Sequence, residues 1–273
     1  MRVDRKALIA VLSVLLLAAA ARADEVKVMT SGAFTAAYLA IVPDFERATR
    51  NTVVTAFGAS MGDAPDSIPS RLGRGEPVDV LIMADTALDD LIKQGQVLAG
   101  SRVDLVRSSI GIAVRAGAPK PDISSVAALR RTLLRAKSIA YSASASGVYV
   151  STELFHRLGI ADQVKGKSQR IDSARVGVVV ARGDAEIGFQ QISELLPVPG
   201  IDYVGPLPPE VQKVTVFSAG IAADSRHPDA ARALIKFLSS PAVVPAIRKS
   251  GLEPVSSERQ KEHHAVQEPG AAY

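Results

Sequence analysis

The amino-acid sequence predicts an α/β protein of two lobes with a cleft between them. Two observations predict it. Short apolar runs of strand length alternate with amphipathic stretches along the chain, which argues for parallel or mixed sheets flanked by helices. Several strands also end in a turn of small and hydroxyl residues that opens a helix. In such sheets ligands sit beyond the carboxyl ends of the strands.

At the amino end, Arg2, Arg5 and Lys6 precede an apolar run from Ala7 to Ala21, and Ala21-Arg22-Ala23 forms an A-x-A site before Asp24. This is the pattern of a secretory signal peptide over residues 1–23, so the mature chain is expected to start near Asp24 and to be exported. Removing that segment takes away four cations and one anion, and the formal charge drops from +4 to +1. A near-neutral domain has no electrostatic footprint for nucleic acid. The chain has no cysteine, which excludes disulfides, thiolate chemistry and cysteine metal sites. No second apolar run reaches membrane-spanning length.

From there the elements follow in order. Val26–Thr30 reads as a strand, Thr30-Ser31-Gly32-Ala33 as a turn, and Phe34, Ala37, Tyr38, Ile41 and Phe45 as one face of a helix. A second strand at Asn51–Phe57 leads into Gly58-Ala59-Ser60-Met61, another small-residue turn before a helix. Val78–Met83 is a buried strand, with Asp85 placed to cap the helix that runs to Lys93. Strands are expected at Ser109–Arg115, Ser138–Tyr141, Arg170–Ile171, Glu186–Gln191, Ile201–Val204 and Val214–Ala222. Helices fill 125–135, the stretch from Ser146 to Gly159, a segment capped near Asp172 or Ser173, and those opened by Pro228 and Pro241. The rhythm predicts one lobe from 24–108 with 218–273 and another from 109–217, the chain crossing near 107–110 and 212–217. The polar tail after Ser256, with His263 and His264, is expected to fray.

The run Tyr141-Ser142-Ala143-Ser144-Ala145-Ser146-Gly147-Val148-Tyr149 is the densest cluster of small and hydroxyl residues. Small residues admit close backbone approach, first-turn N–H groups point at an anion, and the serines add donors. The run also reads as a plain N-cap and tight loop. With the turns at Ser31 and Ser60 it outlines an anion-binding cleft.

These pieces carry a resemblance. Val28–Thr35, Phe57-Gly58-Ala59-Ser60, Gly75–Val80, Ser146–Tyr149 and Gly183–Gly188 together look like a type II periplasmic binding protein, on the branch that includes molybdate-binding proteins. The resemblance implies mixed or parallel sheets with an interlobe cleft, a periplasmic location and, for a binding protein, an ABC permease as partner. Against the molybdate pattern, Ala33 stands where that branch carries a serine, and Gln191 where it often carries a tyrosine, whereas Ser60 matches. Each missing hydroxyl leaves an oxyanion contact unmade, at about 1–3 kcal/mol, which argues against molybdate. The wording of Met29–Tyr38, Ile139–Ser142 and Gly188–Gly200 resembles a smaller subgroup that includes bacterial aconitate isomerases. That implies interconversion of trans- and cis-aconitate by an allylic 1,3 proton shift, with a small polycarboxylate as ligand and no cofactor or metal. The alternative is a transport component for an oxyanion or organic acid.

The expected ligand-binding residues are Thr30, Ser31, Ser60, Met61, Tyr141, Ser142, Ser144, Ser146, Gly147, Val148, Tyr149, Arg175 and Gln191. Arg175, placed in a first helical turn, reads either as a surface arginine or as a bidentate carboxylate clamp. Tyr141 and Tyr149 read either as cleft residues or as packing. Gln190 and Gln191 alternate along a strand, so one of the two is expected to face the cleft. The catalytic base is not legible: His156 lies deep in its helix, His227 looks like a cap, and Glu186 and Glu194 read as solvated charges at strand ends. No G-x-S-x-G, H-E-x-x-H or P-loop motif occurs.

Overall fold

The structure is a computed structural model that describes residues 24–255. The expected signal peptide at 1–23 and the tail with His263 and His264 lie outside the described residues.

The chain runs β1 (Glu25–Thr30), α1 (Gly32–Thr49), β2 (Thr52–Phe57), α2 (Ile68–Gly73), β3 (Val80–Ala84), α3 (Asp85–Lys93) and β4 (Val103–Arg115). It continues through α4 (Val126–Arg135), β5 (Ile139–Ser142), α5 (Ala145–Tyr149), α6 (Ala161–Lys165), β6 (Ser168–Ile171) and α7 (Val176–Arg182). Then come β7 (Ile187–Gln191), α8 (Ile192–Leu195), β8 (Ile201–Pro206), β9 (Val214–Ile221), α9 (Pro228–Leu238), α10 (Val244–Lys249) and β10 (Glu253–Pro254).

Strand order is β2-β1-β3-β9-β4-β7-β5-β6, with β8 and β10 also pairing β4. β1 pairs in parallel with β2 and β3, and β5 in parallel with β6 and β7. β4 and β9 run antiparallel to their neighbours, so the sheet is mixed rather than largely parallel. The cause is β4. It is a single strand of 13 residues, longer than the segment its sequence suggests, because its first half pairs β9 and its second half pairs β7 and β8.

The apolar positions of each element feed two main cores. Helix α1 buries Phe34, Ala37, Tyr38, Ile41 and Phe45 against β1, β3, β9 and α9, at the three- and four-residue spacing of one helical face. Each large side chain buried there is worth about 1.5–3 kcal/mol. The other core gathers Ile110, Ile112, Leu129, Leu133, Tyr149, Leu154, Phe155 and Phe189. Beyond α5 the helix widens into a π turn over Val150–Leu154 before Phe155–Arg157. The hydroxyls of Ser151 and Thr152 bond back to the carbonyls of Gly147 and Val148 there, competing with the helical ladder. Among the described residues no single helix is long and apolar enough to cross a membrane.

Candidate ligand cleft

The carboxyl ends of β1, β2, β5, β6 and β7 converge on one cleft of about 380 Å³, lined by Ser31, Phe57, Ser142, Ile171, Gln190 and Gln191. That volume lies within the range of small-molecule sites. Its two walls already touch. Ser60 N–H donates to Ser144 Oγ at 3.3 Å, the Ser173 hydroxyl to Asp66 at 3.0 Å, Arg170 to Asp63 at 3.3 Å, and the Ser193 hydroxyl to the Ala33 carbonyl at 2.7 Å.

On one wall, Ser31 precedes α1 and is 2% exposed, yet its hydroxyl has no hydrogen-bond partner. A buried hydroxyl left unpaired in this way is normally paired by something else, and here the open side is the cleft. The first-turn N–H groups of the 18-residue α1 lie beside it and favour an anion. On the other wall, Ser142, Ser144 and Ser146 all line the cleft, and the Ser142 and Ser146 hydroxyls are 3.0 Å apart. Gly147 lies behind this wall, in α5: a Cβ there would run into the Ser142 carbonyl oxygen, so this close approach of helix and strand end admits only glycine.

Both glutamines reach the cleft, contrary to the alternation expected of a strand. Gln191 is the last residue of β7 and immediately precedes α8, so regular alternation stops there. Gln190 Oε1 accepts from Val176 N–H at 2.9 Å, and its Nε2 donates to Glu194 at 2.9 Å. Gln191 is 2% exposed; its Nε2 meets Thr215 Oγ1 at 3.3 Å and its Oε1 has no partner. Turning that amide over lets Oε1 accept from the Thr215 hydroxyl and presents Nε2 to the cleft, the arrangement an anion needs.

Arg175 lines the cleft as expected, but α7 starts one residue later, so the arginine precedes the first turn instead of lying in it. As the N-cap residue its charge still stands at the positive end of the helix dipole.

Several expected residues lie elsewhere. Thr30 is fully buried, and its hydroxyl faces the Ser31 carbonyl at 3.5 Å. Ser60 is also fully buried, and its Oγ accepts from Ala84 N–H at 2.9 Å at the end of β3; Asp85, the first residue of α3 rather than its cap, accepts from Thr86 N–H at 2.8 Å. Met61 packs on the core beneath α1. Tyr141 points to the other side of β5, edge-on to Phe155 with ring centroids 6.2 Å apart. Tyr149 is 3% exposed and donates its hydroxyl to the Val211 carbonyl at 2.7 Å, with Arg157 donating to it at 3.1 Å. Gly147 sits behind the wall, and Val148 projects outward, exposed.

Glu194 is not the solvated strand-end charge that its place in the sequence suggests. It stands in α8 in the cleft wall, over Gly32, where any Cβ would collide with its carboxylate. Burial pushes its carboxyl up from 4.5 to about 7, against the pull of Arg175 and the Gln190 hydrogen bond. The sequence signal for it was weak: α8 is four residues long and begins directly at the end of β7, so nothing in the local pattern shows which way Glu194 turns.

A two-walled α/β fold whose strand ends meet at a cleft of serines, amides, one guanidinium and three carboxylates has the architecture of a solute-binding protein. The chain belongs to the bacterial extracellular solute-binding protein family, whose model matches residues 26–253. It is 48% identical to an aconitate isomerase from a Pseudomonas species over 242 residues, 89% of this chain and 92% of that protein. The solved periplasmic molybdate-binding protein of Azotobacter vinelandii is similar in fold, with a TM-score of 0.68 at 21% identity over 85% of this chain and all of that one. So is the sulfate-binding protein of Mycobacterium tuberculosis, with a TM-score of 0.67 at 18% identity over 91% and 93% of the two chains.

Proposed function

We propose that this protein is an aconitate isomerase that interconverts trans- and cis-aconitate in its interlobe cleft, acting in the periplasm after loss of residues 1–23. The observation that carries this reading is the 48% identity to the Pseudomonas aconitate isomerase across 89% of the chain. The chemistry of the cleft supports it. Ser31, Ser142, Ser144 and Ser146 offer hydroxyls on two walls, and Arg175 adds a cation, so carboxylates at opposite ends of one molecule meet donors at both. In the shift a proton leaves the substrate's CH2 and another joins the far allylic carbon, while negative charge spreads toward groups already anionic. Donors fixed in place before that charge moves lower the barrier.

In this reading residues 24–108 with 218–255 form one lobe and 109–217 the other, the rest of the expected 218–273 segment lying outside the described residues. The hinge lies where β4 and β9 pass between them. The second reading is a transport component delivering an oxyanion or organic acid to an ABC permease, favoured by the fold shared with the molybdate- and sulfate-binding proteins. Incubating purified protein with trans-aconitate and following cis-aconitate by chromatography separates the two. Conversion supports the isomerase; tight binding of trans-aconitate with no conversion supports the transport reading.

A further inference from the structure

The cleft lining contains a short set of groups able to carry a proton in such a shift. Neither histidine, lysine nor tyrosine is among the described lining residues, and the guanidinium of Arg175 stays protonated. Three carboxylates remain: Asp66, Asp172 and Glu194. Asp66 accepts the Ser173 hydroxyl at 3.0 Å and Asp172 pairs with Arg170 at 2.8 Å, so both are engaged in contacts of their own. Glu194 has no cationic partner within ion-pair distance among the described residues. It is held by the Gln190 amide at 2.9 Å, directly over Gly32 and beside the unpartnered hydroxyl of Ser31.

We propose that the Glu194 carboxylate is the single base of the allylic shift, and that it both removes and returns the proton from one face of the substrate. This inference rests on the aconitate isomerase reading. The carboxylate takes a proton from the substrate's CH2 as that C–H bond breaks. The electron pair spreads over the three allylic carbons into the attached carboxylates. Glu194, now a carboxylic acid, protonates the other terminal carbon, a new C–H bond forms there, and the double bond has moved one position. Glu194 ends as it began, and no oxidant or reductant enters. The charge that develops faces the N-terminal turn of α1, the Ser31 hydroxyl and Arg175. Gly32 is what gives the carboxylate room to lie over that turn. A carboxyl pushed up toward neutrality by burial is suited to this work, because proton transfer is fastest when base and medium are matched.

The test begins with wild-type protein turning over trans-aconitate. Glu194→Gln keeps the shape and the bond to Gln190, and its kcat is expected to fall by about 10²–10⁴-fold, the span of general base catalysis. The dissociation constant for trans-aconitate, read by calorimetry, is expected to stay within about threefold, since the loss is specific to the transition state. Glu194→Asp, which keeps a carboxylate, is expected to recover part of the activity. A readout on wild type alone uses trans-aconitate deuterated at its CH2 in ordinary water. Deuterium at the other allylic carbon of the first-formed cis-aconitate supports one base; addition of the new proton to the face opposite the one deprotonated overturns it. Full kcat in Glu194→Gln overturns the assignment of Glu194 and leaves the isomerase reading standing. Binding without turnover by wild type overturns the isomerase reading itself.

Discussion

Replacing Glu194 with glutamine should make the protein more stable in proportion to pH, even as it removes the proposed base. In the folded protein the Glu194 carboxyl holds its proton up to about 7, against 4.5 for a free glutamate side chain. Between those values the folded state binds more protons than the unfolded chain, so wild-type stability falls as pH rises through that window. At 1.36 kcal/mol per pKa unit, the charged carboxylate costs up to about 3 kcal/mol at pH 8 and almost nothing at pH 4. Glutamine never ionises, and its amide oxygen can still accept from Gln190. Glu194→Gln should therefore match wild type near pH 4 and exceed it by up to about 3 kcal/mol at pH 8. At about 2–4 °C per kcal/mol for a chain of this size, Tm rises by about 6–12 °C. Thermal and urea unfolding of both proteins from pH 4 to pH 8 measures this. A constant offset across that range, or a variant less stable than wild type at pH 8, refutes the reasoning.

Three further substitutions probe the cleft and its support. Ser31→Ala removes a buried hydroxyl that has no partner, so unfolding free energy should stay level or rise slightly, while affinity for trans-aconitate in calorimetry drops about tenfold. Arg175→Ala should cost at least about 1.5 kcal/mol in binding trans-aconitate, the lower figure for a hydrogen bond to a charged group. Because Arg175 also draws the Glu194 carboxyl down, the alkaline-rising limb of kcat/KM should move to higher pH in that variant; unchanged affinity and an unmoved limb would remove Arg175 from the site. Tyr149→Phe leaves the buried Val211 carbonyl without its donor and should cost roughly 1–3 kcal/mol of stability in urea melts, with turnover unaffected.

Much of the fold was legible because it rests on local periodicity. The spacing of Phe34, Tyr38, Ile41 and Phe45 marks one helical face, and the structure buries that face. The apolar run before Ala84 becomes β3, buried at every position, between β1 and β9. The path of β4 was harder to see. A strand that changes partners halfway carries no local mark of the change, since each half alternates or runs apolar just as a separate strand would.

The site was legible in outline and wrong in several particulars. Ser31, Ser142, Ser144, Ser146, Arg175 and Gln191 line the cleft; hydroxyl-rich turns after strands pointed to the serines, a helix start to Arg175 and the family resemblance to Gln191. Ser60 follows the same pattern, yet its hydroxyl is taken by Ala84 N–H, a partner 24 residues away. Tyr141 and Ser142 are adjacent in sequence and face opposite sides of β5. The pattern of a turn shows which residues are available, while the choice among them depends on what distant segments pack behind it.

By itself the sequence determined the α/β alternation, the hydroxyl-rich strand ends and, through its wording, the family. These are properties of local propensity, of hydrophobic period and of residue type. Only the tertiary structure decided that Tyr149 braces a core, that both glutamines reach the cleft, and that Glu194 stands over Gly32 with its proton held toward neutrality. The physical reason is that a carboxyl's proton affinity is set by solvent exclusion and by charges nearby in space. Gly32 and Glu194 are far apart along the chain, and only folding brings them together.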